Sequence, residues 1–174
     1  MSEFSAPEAV EFLSSDFNDM YPSYNVDFSA IYFCSDRADE TFDIYKVAVN
    51  NEPQKLVSDL SDQEAREIEL VEAVSSEYND KCPFVYGNLL VFASDRPGGE
   101  GGFDLYYSLL QNGQWSAPLN FGPSINSAYN DYRPIVINEM IEDEQAMMIF
   151  SSDRPGGQGG YDLYFVGIDY TDTE

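Results

Sequence analysis

The chain contains no histidine. Imidazole acid–base catalysis, Ser-His-Asp and Cys-His nucleophile pairs, and histidine-ligated zinc or iron centres are therefore excluded. Cationic side chains are scarce too: 8 Lys and Arg stand against 32 Asp and Glu, a formal net charge of −24. Nucleic acid is disfavoured as a partner, because phosphate binding is driven by Lys and Arg releasing counterions. An anionic membrane surface is disfavoured on the same ground. No apolar run approaches the roughly 18 residues that a membrane-crossing helix requires. Residues Met1 to Val10 lack the cationic start and apolar stretch of an export signal. This leaves either a cytoplasmic protein or one whose signal has been removed. The two cysteines are Cys34, in an apolar run, and Cys82, beside Pro83. They read as small buried thiols rather than as a disulfide framework.

What remains is an acidic chain rich in aromatic residues. Of its 174 residues 43% are hydrophobic and 15% aromatic, more than a disordered acidic chain would carry. The length suits a single region, residues 1–174, with a core of its own.

Three segments align: Ala30 to Arg37, Leu89 to Arg96 and Met147 to Arg154. Each ends in Ser-Asp-Arg, beginning at Ser35, Ser94 and Ser152, so the spacings are 59 and 58 residues. Each is followed by an Asp-(Ile or Leu)-Tyr triplet, at Asp43, Asp104 and Asp162. Each is preceded by an Asn-Asp-x-x-Pro element, at Asn18-Asp19 with Pro22, Asn79-Asp80 with Pro83, and Asn130-Asp131 with Pro134. Three elements in one order, three times, define a repeat. The units run over about residues 6–60, 67–112 and 114–169.

Short apolar runs such as Leu90 to Phe92 and Met148 to Phe150 are too brief for helices and stop at turn chemistry, which predicts strands. The loops Arg96 to Asp104 and Arg154 to Asp162 carry four glycines each behind a proline. Asn112-Gly113 predicts a tight hairpin into Gln114 to Asn120. Each unit then holds about four strands, the content of one β-propeller blade. The first unit departs from the others, with Arg37 to Asp43 two residues shorter and an acidic insertion at 50–67. That insertion and the acidic run at 139–145 read as solvated loops.

The string Ser-Asp-Arg-Pro-Gly-Gly-x-Gly-Gly-(Phe or Tyr)-Asp-Leu-Tyr, with Trp115 to Pro118, Asn126-Ser127 and Tyr129 to Asp131, resembles the WD-like repeat of TolB-type β-propellers. It is most similar to the version in cell-envelope proteins of the Bacteroidota. The resemblance implies an all-β propeller fold, a periplasmic or cell-envelope location, and a non-enzymatic role in protein–protein interaction. Three units do not make a ring. Segments Ala6 to Leu13, Ile68 to Val74 and Trp115 to Phe121 align as outer strands, each placed first in its unit. The chain is then half of a longer propeller, one of two copies forming a six-bladed homodimer, or an open array, the last disfavoured by its exposed strand edges.

The loops of one blade end predict a rim bearing Asp19, Asp80, Asp131, Asp36, Asp95 and Asp153. On that rim Arg37, Arg96 and Arg154 sit at one end of a loop whose other end is Asp43, Asp104 or Asp162, and each pair would close its loop. Recurrence in every unit favours structural latches over ligand contacts. No cofactor is called for. The rim's carboxylates and loop carbonyls are the oxygen ligands that a hard cation such as calcium takes, set against ordinary turn capping by Asn and Asp. The glycine loops lack the Gly-Lys-(Ser or Thr) sequence and following helix of a phosphate cradle. Trp115, Tyr21 and Tyr24 leave a different reading open, a glycan-binding or calcium-assisted carbohydrate-active propeller, against packing between blades.

Overall fold

The computed structural model describes residues 6–25, 27, 29–50, 52–62, 64–137 and 145–169. The chain forms three antiparallel sheets in sequence order. The first contains β1 (Asp19–Tyr24), β2 (Ala30–Ser35), β3 (Asp43–Ala48) and β4 (Ile68–Leu70), side by side in that order. The second contains β5 (Asp80–Tyr86), β6 (Leu89–Ser94), β7 (Asp104–Gln111) and β8 (Gln114–Trp115), with β9 (Leu119–Asn120) also paired to β7. The third has three strands among the described residues, β10 (Asp131–Ile137), β11 (Gln145–Ser152) and β12 (Asp162–Asp169).

The second strand of each sheet explains the unalternated apolar runs. It is flanked by strands on both sides, and in the middle sheet it also has packed side chains on both faces, so β6 is buried throughout. Leu90 and Phe92 point toward the first sheet, meeting Tyr32, Ile44, Val71 and Val74. Leu89, Val91, Ala93 and Leu105 point the other way, toward Val136, Met148 and Phe150 of the third. The core is thus two layers between three stacked sheets. A smaller cluster, Phe12, Ile31 and Val47, covers the far face of the first sheet.

The Asn-Asp-x-x-Pro element starts β1, β5 and β10. The residue before each proline, Tyr21, Cys82 or Arg133, has φ of 54–55°, and the register slips there in all three sheets. A bulge at the entry of the first strand is therefore part of the repeat. Asn112 and Gly113, with φ of 52° and 77°, form the expected hairpin turn between β7 and β8.

Three expectations are corrected. Ile68–Leu70 is hydrogen-bonded to β3 and Leu119–Asn120 to β7. The outer-strand segments therefore close the unit before them, because the chain reaches that edge first. Ala6 to Leu13 forms no strand; it ends in a turn in which the Leu13 amide donates to the Val10 carbonyl at 3.0 Å. The same turn recurs with Val74 on Val71 and Ile125 on Gly122. The insertion at 50–67 is not merely a solvated loop. It holds a short helix α1 (Leu56–Leu60), whose Asp59 pairs with Arg66 at 2.8 Å. The Arg66 guanidinium lies 4.1 Å from the Phe12 ring centre. The acidic run at 139–145 falls, apart from Gln145, outside the described residues.

Candidate functional site: the latched rim

The three Ser-Asp-Arg loops and the three Asn-Asp-x-x-Pro elements do lie together. Asp36 accepts both the backbone and side-chain N–H of Asn18, at 2.8 and 2.7 Å. Asp95 does the same for Asn79, at 2.8 Å each, and Asp153 for Asn130, at 2.7 and 2.9 Å. The paired asparagine N–H groups hold the Asp36 and Asp153 carboxyls below the usual carboxylate range.

The arginines are latches, but on a different carboxylate from the one expected. Arg37 pairs with Asp19 at 2.5 Å, Arg96 with Asp80 at 2.6 Å and Arg154 with Asp131 at 2.5 Å. In each case Nη2 also donates to a carbonyl of the turn described above, Leu13 at 2.7 Å, Val74 at 2.6 Å or Ile125 at 2.7 Å. Nε donates to the serine of Ser-Asp-Arg, at 3.1, 2.9 and 3.0 Å. One guanidinium therefore ties a loop, a strand start and the preceding turn. It also sits over a stacked aromatic pair, Phe33–Tyr45, Phe92–Tyr106 or Phe150–Tyr164. Sequence order suggested the nearer aspartate; folding supplies the one 16 to 23 residues upstream.

Asp19, Asp80 and Asp131 are consequently taken up by the latches. The Asp80 and Asp131 side chains are wholly buried, and Asp19 accepts two further bonds from Ser15, at 2.8 and 2.9 Å. Burial works against the Asp19 charge, yet the Arg37, Ser35 and Ser15 donors outweigh it and its carboxyl is held low. Among the described residues, no cluster of three acidic or thiol groups is arranged to hold a metal ion.

Asp43, Asp104 and Asp162 serve the glycine loops instead. Asp104 accepts the amides of Glu100 and Gly101 at 2.5 and 3.1 Å and the Asn120 side chain at 3.0 Å. Asp162 accepts the Gln158 and Gly159 amides at 2.8 and 3.3 Å. The shorter first loop offers no such amides, and Leu70 stands where the second sheet has Asn120. Asp43 is left 6% exposed with a partnerless Oδ1. Burial, then the nearby charges of Asp39 and Asp80, push its carboxyl up to about 6.

Two features escaped the sequence reading. Arg133 reaches across to the Tyr21 ring at 4.5 Å, and Tyr21 meets Tyr132 edge to face at 6.0 Å, drawing the entry strands of the first and third sheets together. The position before each repeat proline was the available signal. An open groove of about 610 Å³ also runs beside the outer strands, lined by Lys46, Glu69, Gln114 and Trp115. Trp115 rests edge-on against Tyr32 there.

No protein-family model and no curated protein matches the chain.

Proposed function

We propose that the three sheets are consecutive blades of a β-propeller of the TolB-like repeat kind, and that the chain is a non-catalytic binding and scaffold module of a bacterial cell envelope. The observation that carries the protein-binding part is the outer flank of the third sheet. Leu163 and Phe165 are 76% and 77% exposed there, beside exposed Ile135 and Ile137. Large apolar side chains gathered on one sheet face mark a protein contact surface. The rim supports a structural role, since its arginines and most of its carboxylates are bonded to one another and to the backbone. The envelope location rests on the repeat resemblance.

The test places a photo-crosslinking benzoylphenylalanine at Phe165 and illuminates the protein in its native envelope. A polypeptide adduct mapped to β12 is the expected result. Illumination that yields no protein adduct overturns the reading. The groove at Trp115 favours a second reading, glycan binding, because an indole bordered by carboxylates and an amide suits a sugar face. A glycan array without a hit that Trp115→Ala removes would end it.

A further inference from the structure

The flank of the third sheet is not a generic apolar patch. Its residues occupy the positions by which each earlier sheet receives the next. Leu163 corresponds to Ile44 and Leu105, which are completely buried between sheets. Ile135 and Ile137 correspond to Phe84 and Tyr86, which pack against the core shared by the second and third sheets. Met147 and Ile149 correspond to buried Leu89 and Val91.

The glycines point the same way independently. A Cβ on Gly101 would collide with the carbonyls of Ser127 and Tyr129, and one on Gly102 with the Asn130 side chain. Glycine is needed there because the next unit's entry loop lies against the backbone; the Gly102 amide donates to the Tyr129 carbonyl at 3.1 Å. Gly159 and Gly160 repeat that pair in the third unit, yet among the described residues nothing lies within 4 Å of a Cβ at either. The third unit carries the fittings for an entry loop that the described residues do not supply to it.

The matching half stands open at the entry of the first sheet, while the Phe12 cluster already covers that sheet's face farther out, where Ile31 and Val47 are buried. Ser15, Asn18 and Asp19 repeat the Ser127, Asn130 and Asp131 of the entry loop, and among the described residues no sheet lies before them. Pro22 is exposed where Pro83 and Pro134 are buried. Beside it a hollow of about 150 Å³ is lined by Val10, Leu13, Met20, Pro22 and Phe33. Two copies of this junction, first to second and second to third sheet, are already built within the chain, each with a backbone bond: Asp80 N–H to the Phe42 carbonyl at 2.6 Å and Asp131 N–H to the Phe103 carbonyl at 2.7 Å.

We infer that the flank of the third sheet binds the first sheet of a second copy of this chain, head to tail. The Ser15–Asp19 loop of that copy lies against Gly159 and Gly160, and its Asp19 N–H donates to the Tyr161 carbonyl. The inference rests on the protein-binding reading and names the partner. Two such junctions close a pair of chains into six sheets; a rotation that fails to close would give longer head-to-tail chains. Each copy carries −24, so the junction forms against mutual repulsion and strengthens as salt is added.

The test is molar mass by light scattering at about 100 μM, where an interface of micromolar affinity is nearly saturated. Twice 19.6 kDa, or a head-to-tail ladder, is expected, with the larger species favoured by salt. Leu163→Asp, damaging only the tail, and Pro22→Glu, damaging only the head, should each abolish closed pairs while keeping the wild-type circular dichroism spectrum. Mixed together they should form a 1:1 pair through the one intact junction. A monomer at every salt concentration overturns the inference, as does a pair that survives Leu163→Asp or a mixture that stays monomeric. If a monomeric protein still crosslinks another polypeptide through position 165, the second copy is wrong and the protein-binding reading stands. If neither occurs, both fall.

Discussion

Asp43 and Asp104 occupy one repeat position, and their replacement by asparagine should change stability in opposite directions. Asp104 accepts two loop amides and a side-chain amide. Losing its charge weakens charge-assisted bonds, and Asp104→Asn should cost about 2–3 kcal/mol. Asp43 is buried, lacks those donors, and has its pKa raised from 3.8 to about 6. The folded state therefore holds the Asp43 proton more tightly than the unfolded chain. This group favours folding below about pH 4, and that contribution is lost as pH rises through about 6. A rise of that size sets a ceiling of about 3 kcal/mol at neutral pH. Donation from Ser75 and the Ser76 amide and an effective interior dielectric near 20 reduce the expected gain for Asp43→Asn to about 1–2 kcal/mol. Urea unfolding at about pH 4.5 and pH 8 reads it: the advantage of Asp43→Asn should be small in acid and full at pH 8. A variant that is destabilised at pH 8, or a gain that ignores pH, would refute the account of the shortened loop.

Arg96→Ala strands the buried Asp80 carboxylate and should cost about 3–5 kcal/mol in urea unfolding; a loss under about 1 kcal/mol would mean that the latch does not hold the unit. Gly101→Ala forces a methyl against backbone carbonyls and should cost about 2–3 kcal/mol. Gly159→Ala should leave the melting temperature of the isolated chain unchanged while weakening its association, and equal destabilisation by both would contradict the open flank. The Cys34 and Cys82 thiols are buried and pushed up to about 12 and about 11 by that burial. A disulfide reagent at pH 8 should titrate them slowly in the native protein and at once in urea; fast native labelling would place them at the surface.

Much of this was legible in the chain because repeats translate sequence distance into structural equivalence. The strand runs ending at Ser35, Ser94 and Ser152, the Asn112-Gly113 hairpin and the buried thiols follow from local chemistry. The charge partners did not. Arg37 has Asp43 six residues away, and proximity along the chain favours that pair; strand β2 instead returns the arginine to the entry of β1, where Asp19 waits beside a turn carbonyl. Asp80 and Asp131, assigned to an open rim, are inside for the same reason, and Asp19 is half-buried in the same latch. The outer strands were framed one unit late because sequence order places them before the repeat they precede, whereas hydrogen bonding places them on the edge they have just left.

The sequence by itself determined the threefold repeat, the all-β character and the exclusion of histidine chemistry, because these depend on residue type and spacing alone. Only the tertiary structure decided which carboxylate each guanidinium takes, that Asp43 is buried without a full set of donors, and which glycines have a neighbour. Those outcomes depend on how successive sheets stack, and stacking is a relation between segments far apart in the chain.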